Sequence, residues 1–126
     1  MTWADMIFAN TLFVSDVAAS RAFYSRVFEK SPVYDDDNSS VFKFGDLMIN
    51  LLADSQAPDL IEPALVATKD SGSRFQLTIS VDDVDAHAER LTTLGVPLIN
   101  GPMDRPWGIR TLLFSDPDGH LWELAK

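Results

Sequence analysis

The chain has 126 residues and a mass of 14.0 kDa. That length suits one domain able to bury its core without disulfide or metal staples. With 46% hydrophobic and 23% charged residues it reads as globular, neither disordered nor fibrous. Nineteen Asp and Glu against ten Lys and Arg leave a formal charge of −9. No cluster of basic residues occurs, which argues against nucleic acid as a partner. An acidic surface serves solubility and also attracts cationic ligands. The absence of cysteine excludes disulfides, thiolate metal sites and cysteine nucleophiles, and fits a reducing compartment. Met1 to Asn10 hold Asp5 and no basic cluster, unlike a signal peptide. No apolar run approaches the roughly 18 residues of a membrane span. The expectation is a soluble, cytoplasmic protein with no membrane partner.

In chain order, Ile7 to Val14 alternates around Leu12 and Val14 and predicts a strand that ends at Ser15-Asp16, either of which can cap a helix. Val17 to Glu29 places Phe23, Tyr24 and Val27 at helical spacing, and Pro32 lies beyond its end. Val33-Tyr34, Val41 to Phe44 and Leu47 to Leu52 read as short strands. Asp35-Asp36-Asp37-Asn38 and Gly45-Asp46 are turns, the aspartates a solvated run. Residues 54–74 contain Pro58, Pro63 and Gly72 without a sustained period, and predict a linker. Phe75 to Val81 predicts a strand, and Asp82-Asp83 caps a helix with Val84, Ala88, Leu91 and Leu94 on one face, closed by Gly95. Val96 to Ile99 is a short strand, Gly101 to Gly108 a loop. Ile109 to Ser115 and His120 to Leu124 form a hairpin around Asp116-Pro117-Asp118-Gly119.

The pattern occurs twice. A shift of 67 residues pairs Thr11 with Thr78, Val14 with Val81, Asp16 with Asp83 and Val17 with Val84, and a shift of 73 pairs Asn50-Leu51 with Glu123-Leu124. Each half reads as strand, helix and three strands, which points to an internal duplication. The predicted fold is α+β: a single domain over residues 1–126, with module one at about 5–53, the linker at 54–74 and module two at about 75–126.

These residues resemble the vicinal oxygen chelate superfamily, which includes glyoxalase I, extradiol dioxygenases and the fosfomycin- and bleomycin-resistance proteins. The resemblance is carried by Leu12-Phe13-Val14-Ser15-Asp16, by Ser20, Phe23-Tyr24 and Val27-Phe28, and by Ile79-Ser80-Val81-Asp82. It is strongest at Pro106-Trp107-Gly108, Arg110 and Asp116-Pro117-Asp118-Gly119-His120-Leu121-Trp122-Glu123-Leu124. It implies two tandem βαβββ modules whose curled, mixed sheets form a cavity, usually within a homodimer. It does not imply one activity, because the scaffold hosts several chemistries and simple binders.

Metalloenzymes of that superfamily direct four side chains into the cavity, from the first and last strands of each module. By register the matching positions are Ala9, Asn50, Gln76 and Glu123. Alanine supplies no ligand, the two amides are weak neutral donors, and one carboxylate remains, so no metal and no other cofactor is assigned. His87 sits mid-helix, and His120 lies on the strand face opposite Glu123; both read as packing or surface residues. No catalytic residue is assigned. Glu123 is compatible with a lone general base, but an anchor for a ligand amine is favoured.

Phe13, Asn50, Gln76, Trp107 and Glu123 are the candidate ligand-binding residues, a few polar groups beside aromatics. Trp107 has two readings: a platform on which a planar ligand stacks, or a cover for the sheet edge or a dimer interface. Trp122 alternates with Glu123 and is assigned to the core, Trp3 to an interface or surface plug. The bleomycin-resistance branch, similar in size, acidity and the Pro-Trp-Gly stretch, implies a metal-independent homodimer that sequesters a planar or cationic small molecule such as an antibiotic. The alternative from another class is a metal-dependent lyase, isomerase or dioxygenase with a degenerate ligand set.

Overall fold

A computed structural model of the chain describes residues 3–126; Met1 and Thr2, the first two residues of the stretch read as lacking a signal peptide, lie outside it. The polypeptide divides into two units, one ending at Thr68 and one spanning Lys69–Lys126. In the first, β1 (Ala9–Val14), α1 (Val17–Phe28), β2 (Tyr34–Asp35), β3 (Ser39–Phe44) and β4 (Leu47–Ala53) build a sheet of order β1-β4-β3-β2. In the second, β5 (Gln76–Ser80), α3 (Val84–Thr93), β6 (Leu98–Asp104), β7 (Arg110–Ser115) and β8 (Leu121–Ala125) build the order β5-β8-β7-β6. The outer strand β1 runs parallel to β4, and β5 parallel to β8, while the other pairs are antiparallel. The architecture is therefore α+β, two tandem βαβββ units each with a four-stranded mixed sheet.

Each sheet has one covered and one open face, because side chains alternate along a strand. In the first unit Leu12, Val14, Phe42, Ile49 and Leu51 are buried on the face that meets α1, whose Val17, Phe23, Tyr24 and Val27 are buried too. Tyr24 gathers Phe23, Phe28 and Phe42 at ring separations of 5.6, 5.5 and 5.9 Å, within the range of favourable aromatic packing. In the second unit Leu112, Phe114, Trp122 and Leu124 meet Val84, Ala88 and Leu91 of α3. Trp122 is 2% exposed and registers with Phe114, a core position as its alternation with Glu123 requires.

The two helices start alike. Asp16 accepts a hydrogen bond from Ala19 N–H at 3.1 Å and Asp83 one from Ala86 N–H at 3.0 Å. Of the two possible caps at each start, the second residue is used, and these caps are the pair matched by the 67-residue shift. The helix α1 stops at Phe28 with Glu29 left-handed at φ 55°, before Pro32 is reached.

Three local readings need correction. The aspartate run is not merely solvated: Asp35 pairs with Arg21 at 2.6 Å, and Asp36 accepts from the N–H groups of Asn38 and Ser39, holding the turn into β3. The segment after β4 carries a short helix, α2 (Ala57–Ile61), with Pro58 in its first turn and Ala57 fully buried. A proline is tolerated there because that N–H has no helical partner. Finally, Gly101 to Asp104 belongs to β6 rather than a loop. Register shifts on both sides of Asn100 erase the period of two. Gly101 has φ +81°, and a Cβ there would lie 2.4 Å from the Thr111 carbonyl oxygen, so the close approach of β6 to β7 requires glycine.

Phe42→Ala removes the ring under Tyr24 and is expected to cost about 3–5 kcal/mol, read as a lower midpoint in urea unfolding. A loss below about 1 kcal/mol would mean that this core is not packed as described.

Candidate functional site

The open face of the first sheet carries Ala9, Thr11 and Phe13 from β1 and Met48, Asn50 and Leu52 from β4. The parallel register sets Thr11 beside Asn50 and Phe13 beside Leu52. The Asn50 Nδ2 donates to Thr11 Oγ1 at 3.5 Å, the outer limit of a hydrogen bond, and the Asn50 Oδ1 is buried without a partner. A buried amide oxygen lacking a donor is uncommon and favours a bound donor group. Two of the expected site residues, Phe13 and Asn50, thus share one face.

The second sheet repeats the arrangement with different chemistry. Gln76 pairs with Leu121 and Thr78 with Glu123, so Gln76 and Glu123 are diagonal neighbours on the open face. The Thr78 hydroxyl donates to Glu123 Oε1 at 3.0 Å, leaving Oε2 for other donors. The threonines matched by the 67-residue shift therefore perform the same service, each orienting the polar side chain of its module's last strand.

Trp107 stands in a turn rather than on a strand. Pro106, Trp107 and Gly108 form the tip of the β6–β7 hairpin: Gly108 N–H donates to the Arg105 carbonyl at 3.0 Å and Arg105 N–H to the Ile109 carbonyl at 2.7 Å. Proline presets the first corner, and Gly108, at φ +97°, takes the left-handed position that closes such a turn. The indole at the tip is 69% exposed.

Neither histidine joins the open faces. The His120 ring donates through Nδ1 to Asp116 Oδ2 at 2.8 Å, while Asp116 Oδ1 accepts from the N–H groups of Asp118 and His120. This fixes the β7–β8 turn. The half-buried His87 lies in α3. Among the described residues, no three His, Cys, Asp or Glu side chains converge where a metal would sit. Taken sheet by sheet, Ala9 and Asn50 offer one amide, and Gln76 and Glu123 one amide and one carboxylate; neither set suits a transition metal.

Sequence reasoning missed Arg105. Its Nε donates to Thr111 Oγ1 at 2.8 Å and its Nη2 to Asn100 Oδ1 at 3.3 Å. Thr111 lies on the same face as Glu123, since the two flank the Leu112–Leu124 pair that points into the core. The bulges in β6 hide this placement, because alternation cannot be counted through them.

Comparison with known proteins follows the same pattern. The family model described as "Glyoxalase/Bleomycin resistance protein/Dioxygenase superfamily" matches residues 6–124. The chain belongs to that superfamily. A metallothiol transferase FosB of Bacillus licheniformis is 27% identical over 111 residues, covering 88% of this chain and 68% of the relative. A glyoxalase/bleomycin resistance protein/dioxygenase from Nocardioides has a TM-score of 0.85 at 22% identity, covering 99% of this chain and 85% of that one. A lactoylglutathione lyase from Agrobacterium tumefaciens has a TM-score of 0.73 at 24% identity, covering 96% and 92%. The latter two are likenesses of fold. No helix among the described residues is long and apolar enough to cross a membrane.

A separate pocket of about 460 Å³ lies at the start of α3, lined by Asp82, Asp83, Asp85, Asp104, Arg110 and Lys126 among others. None of the expected site residues lines it. Arg110 grips Asp85 with two hydrogen bonds of 2.9 and 2.8 Å and Asp104 with one of 3.0 Å, tying α3 to β6 and β7. The hydrogen bond from Arg110, then its charge, holds the Asp85 carboxyl below the usual aspartate range. A carboxyl lowered in the folded state stabilises the fold above the unfolded value of about 4, and that contribution vanishes as pH falls through the lowered one. Asp85→Asn should therefore lose stability at pH 7 and show a shallower decline toward pH 2 in urea unfolding. An unchanged acid slope would mean that the pair contributes nothing.

Proposed function

We propose that the protein is a metal-independent binder that sequesters a planar or cationic small molecule, of the kind represented by antibiotics, as a cytoplasmic homodimer. The observation that carries the reading is the donor set: the positions that hold metal in the superfamily present alanine, two amides and one carboxylate, the last tied to Thr78. Such groups orient an organic ligand by hydrogen bonds and grip a cation weakly. The names of the relatives, a metallothiol transferase and a lactoylglutathione lyase, describe catalysts; the chemistry at these four positions argues against carrying those activities over. On the second unit's open face Glu123 anchors a ligand amine through its free oxygen, with Gln76 beside it; on the first unit's open face the unpartnered Asn50 Oδ1 accepts a donor, with Phe13 on the same face. The exposed Trp107 serves as a stacking platform. Trp3, Met6, Ile7 and Phe8 are all more than 60% exposed in one short run, an apolar surface of the kind that a second subunit covers.

Titration with a panel of planar and cationic antibiotics, followed by tryptophan fluorescence, tests the reading. At least one compound is expected to bind with Kd below about 1 mM, corresponding to roughly −4 kcal/mol. Trp107→Ala should weaken that complex by about 1–3 kcal/mol, the scale of base stacking on an aromatic ring. Failure of every compound would remove the reading, and unchanged affinity in the variant would reduce Trp107 to a turn residue. Light scattering should give twice the chain mass; a monomer would contradict the dimer.

A further inference from the structure

In a chain of net charge −9, arginines are expected to find carboxylates, and Arg110 and Arg21 do so. Arg105 does not. Among the described residues its partners are two neutral oxygens, the Thr111 hydroxyl and the Asn100 amide carbonyl. Its side chain is half-buried, and Thr111 beneath it is fully buried although it stands on the sheet's open face. The β6 bulges and the close approach at Gly101 bring Asn100 and the hairpin base over that face. The outcome is a guanidinium fixed by two donated hydrogen bonds, with no ion pair to a carboxylate among the described residues. A planar fork held in this way is preorganised for a carboxylate, which supplies the missing charge.

Its position relative to Glu123 defines the rest of the ligand. Thr111 pairs with Ala125 and Leu113 with Glu123, so Thr111 is one diagonal step from Glu123, roughly 7–8 Å across the ladder. Glu123, farther off, weakens the hold of Arg105 on a bare anion without cancelling it. A molecule with an anionic end and a donor end separated by an apolar body satisfies both groups, with Leu113 beneath that body.

We infer that Arg105 binds a carboxylate of the ligand on the open face of the second sheet, and that the ligand is amphoteric, its donor end at Glu123. This rests on the reading of that face as a small-molecule site and adds the charge pattern of the occupant.

The test compares 1-naphthoate with its neutral isostere 1-naphthamide by calorimetric titration, with amide NMR shifts at Thr78 and Glu123 locating the site. Naphthoate is expected to bind the wild type at least about ten-fold more tightly, a difference of about 1.4 kcal/mol. Arg105→Gln should abolish that preference by costing naphthoate at least about ten-fold and naphthamide less, Arg105→Lys should keep part of it, and Glu123→Gln should tighten naphthoate by removing repulsion. Equal affinity of the wild type for the two compounds would overturn the role of Arg105 and leave the binding face standing. An equal loss of both compounds in Arg105→Gln would likewise overturn it, making Arg105 a brace for the hairpin. If neither compound moves Thr78 or Glu123, both the inference and the face it rests on are overturned.

Discussion

The parallel pairing of each module's first strand with its last is the constraint on which everything else depends. It brings residues 39 and 45 positions apart, Thr11 with Asn50 and Thr78 with Glu123, into hydrogen-bonding contact. It also sorts the two faces. Leu12 and Val14 with Ile49 and Leu51 turn toward α1, and the polar residues between them turn away. A slip of one residue would place Asn50 and Glu123 in the core and expose Leu51 and Leu124, so the hydrophobic pattern that stabilises the fold is the same one that presents the site. Fold and site share one register.

The duplication shows how far two copies of a scaffold can diverge while the frame holds. The caps Asp16 and Asp83 and the threonines Thr11 and Thr78 are the same in both copies, and each serves the same local purpose. The residues they present differ: an amide with an unpartnered oxygen on one face, a carboxylate with a free oxygen on the other. Structural relatives at 22–24% identity retain the frame, as expected where packing tolerates many side chains but strand order does not.

Much of this was legible in the sequence because period-two and helical patterns survive wherever strands are regular. Leu12, Val14, Trp122 and Leu124 announced their face, Asp83 its helix, and Asn50 and Glu123 their equivalence between the two copies. Legibility failed where an element breaks its period. The bulges around Asn100 made the second half of β6, Gly101 to Asp104, read as a loop, which hid Arg105, and the five residues of α2 are too few to show a helical repeat. The partners of Asp35 and Asp36 were hidden for another reason: their contacts are set by the path of the turn after β2, which alternation does not report. Trp107 lies between these cases. Its Pro-Trp-Gly setting is a turn signal, and the turn dictates the exposure of the ring without dictating what covers it.

The proposed role is that an open face holds an organic molecule by hydrogen bonds and charge, without a metal at Ala9, Asn50, Gln76 or Glu123. Elemental analysis of protein purified from cells grown with added nickel, zinc, iron and manganese, with Glu123→Ala in parallel, tests it most directly. The account predicts less than about a tenth of an equivalent of any of these metals in either protein, since a lone carboxylate and two amides bind weakly. One equivalent in the wild type that disappears in the variant would contradict it.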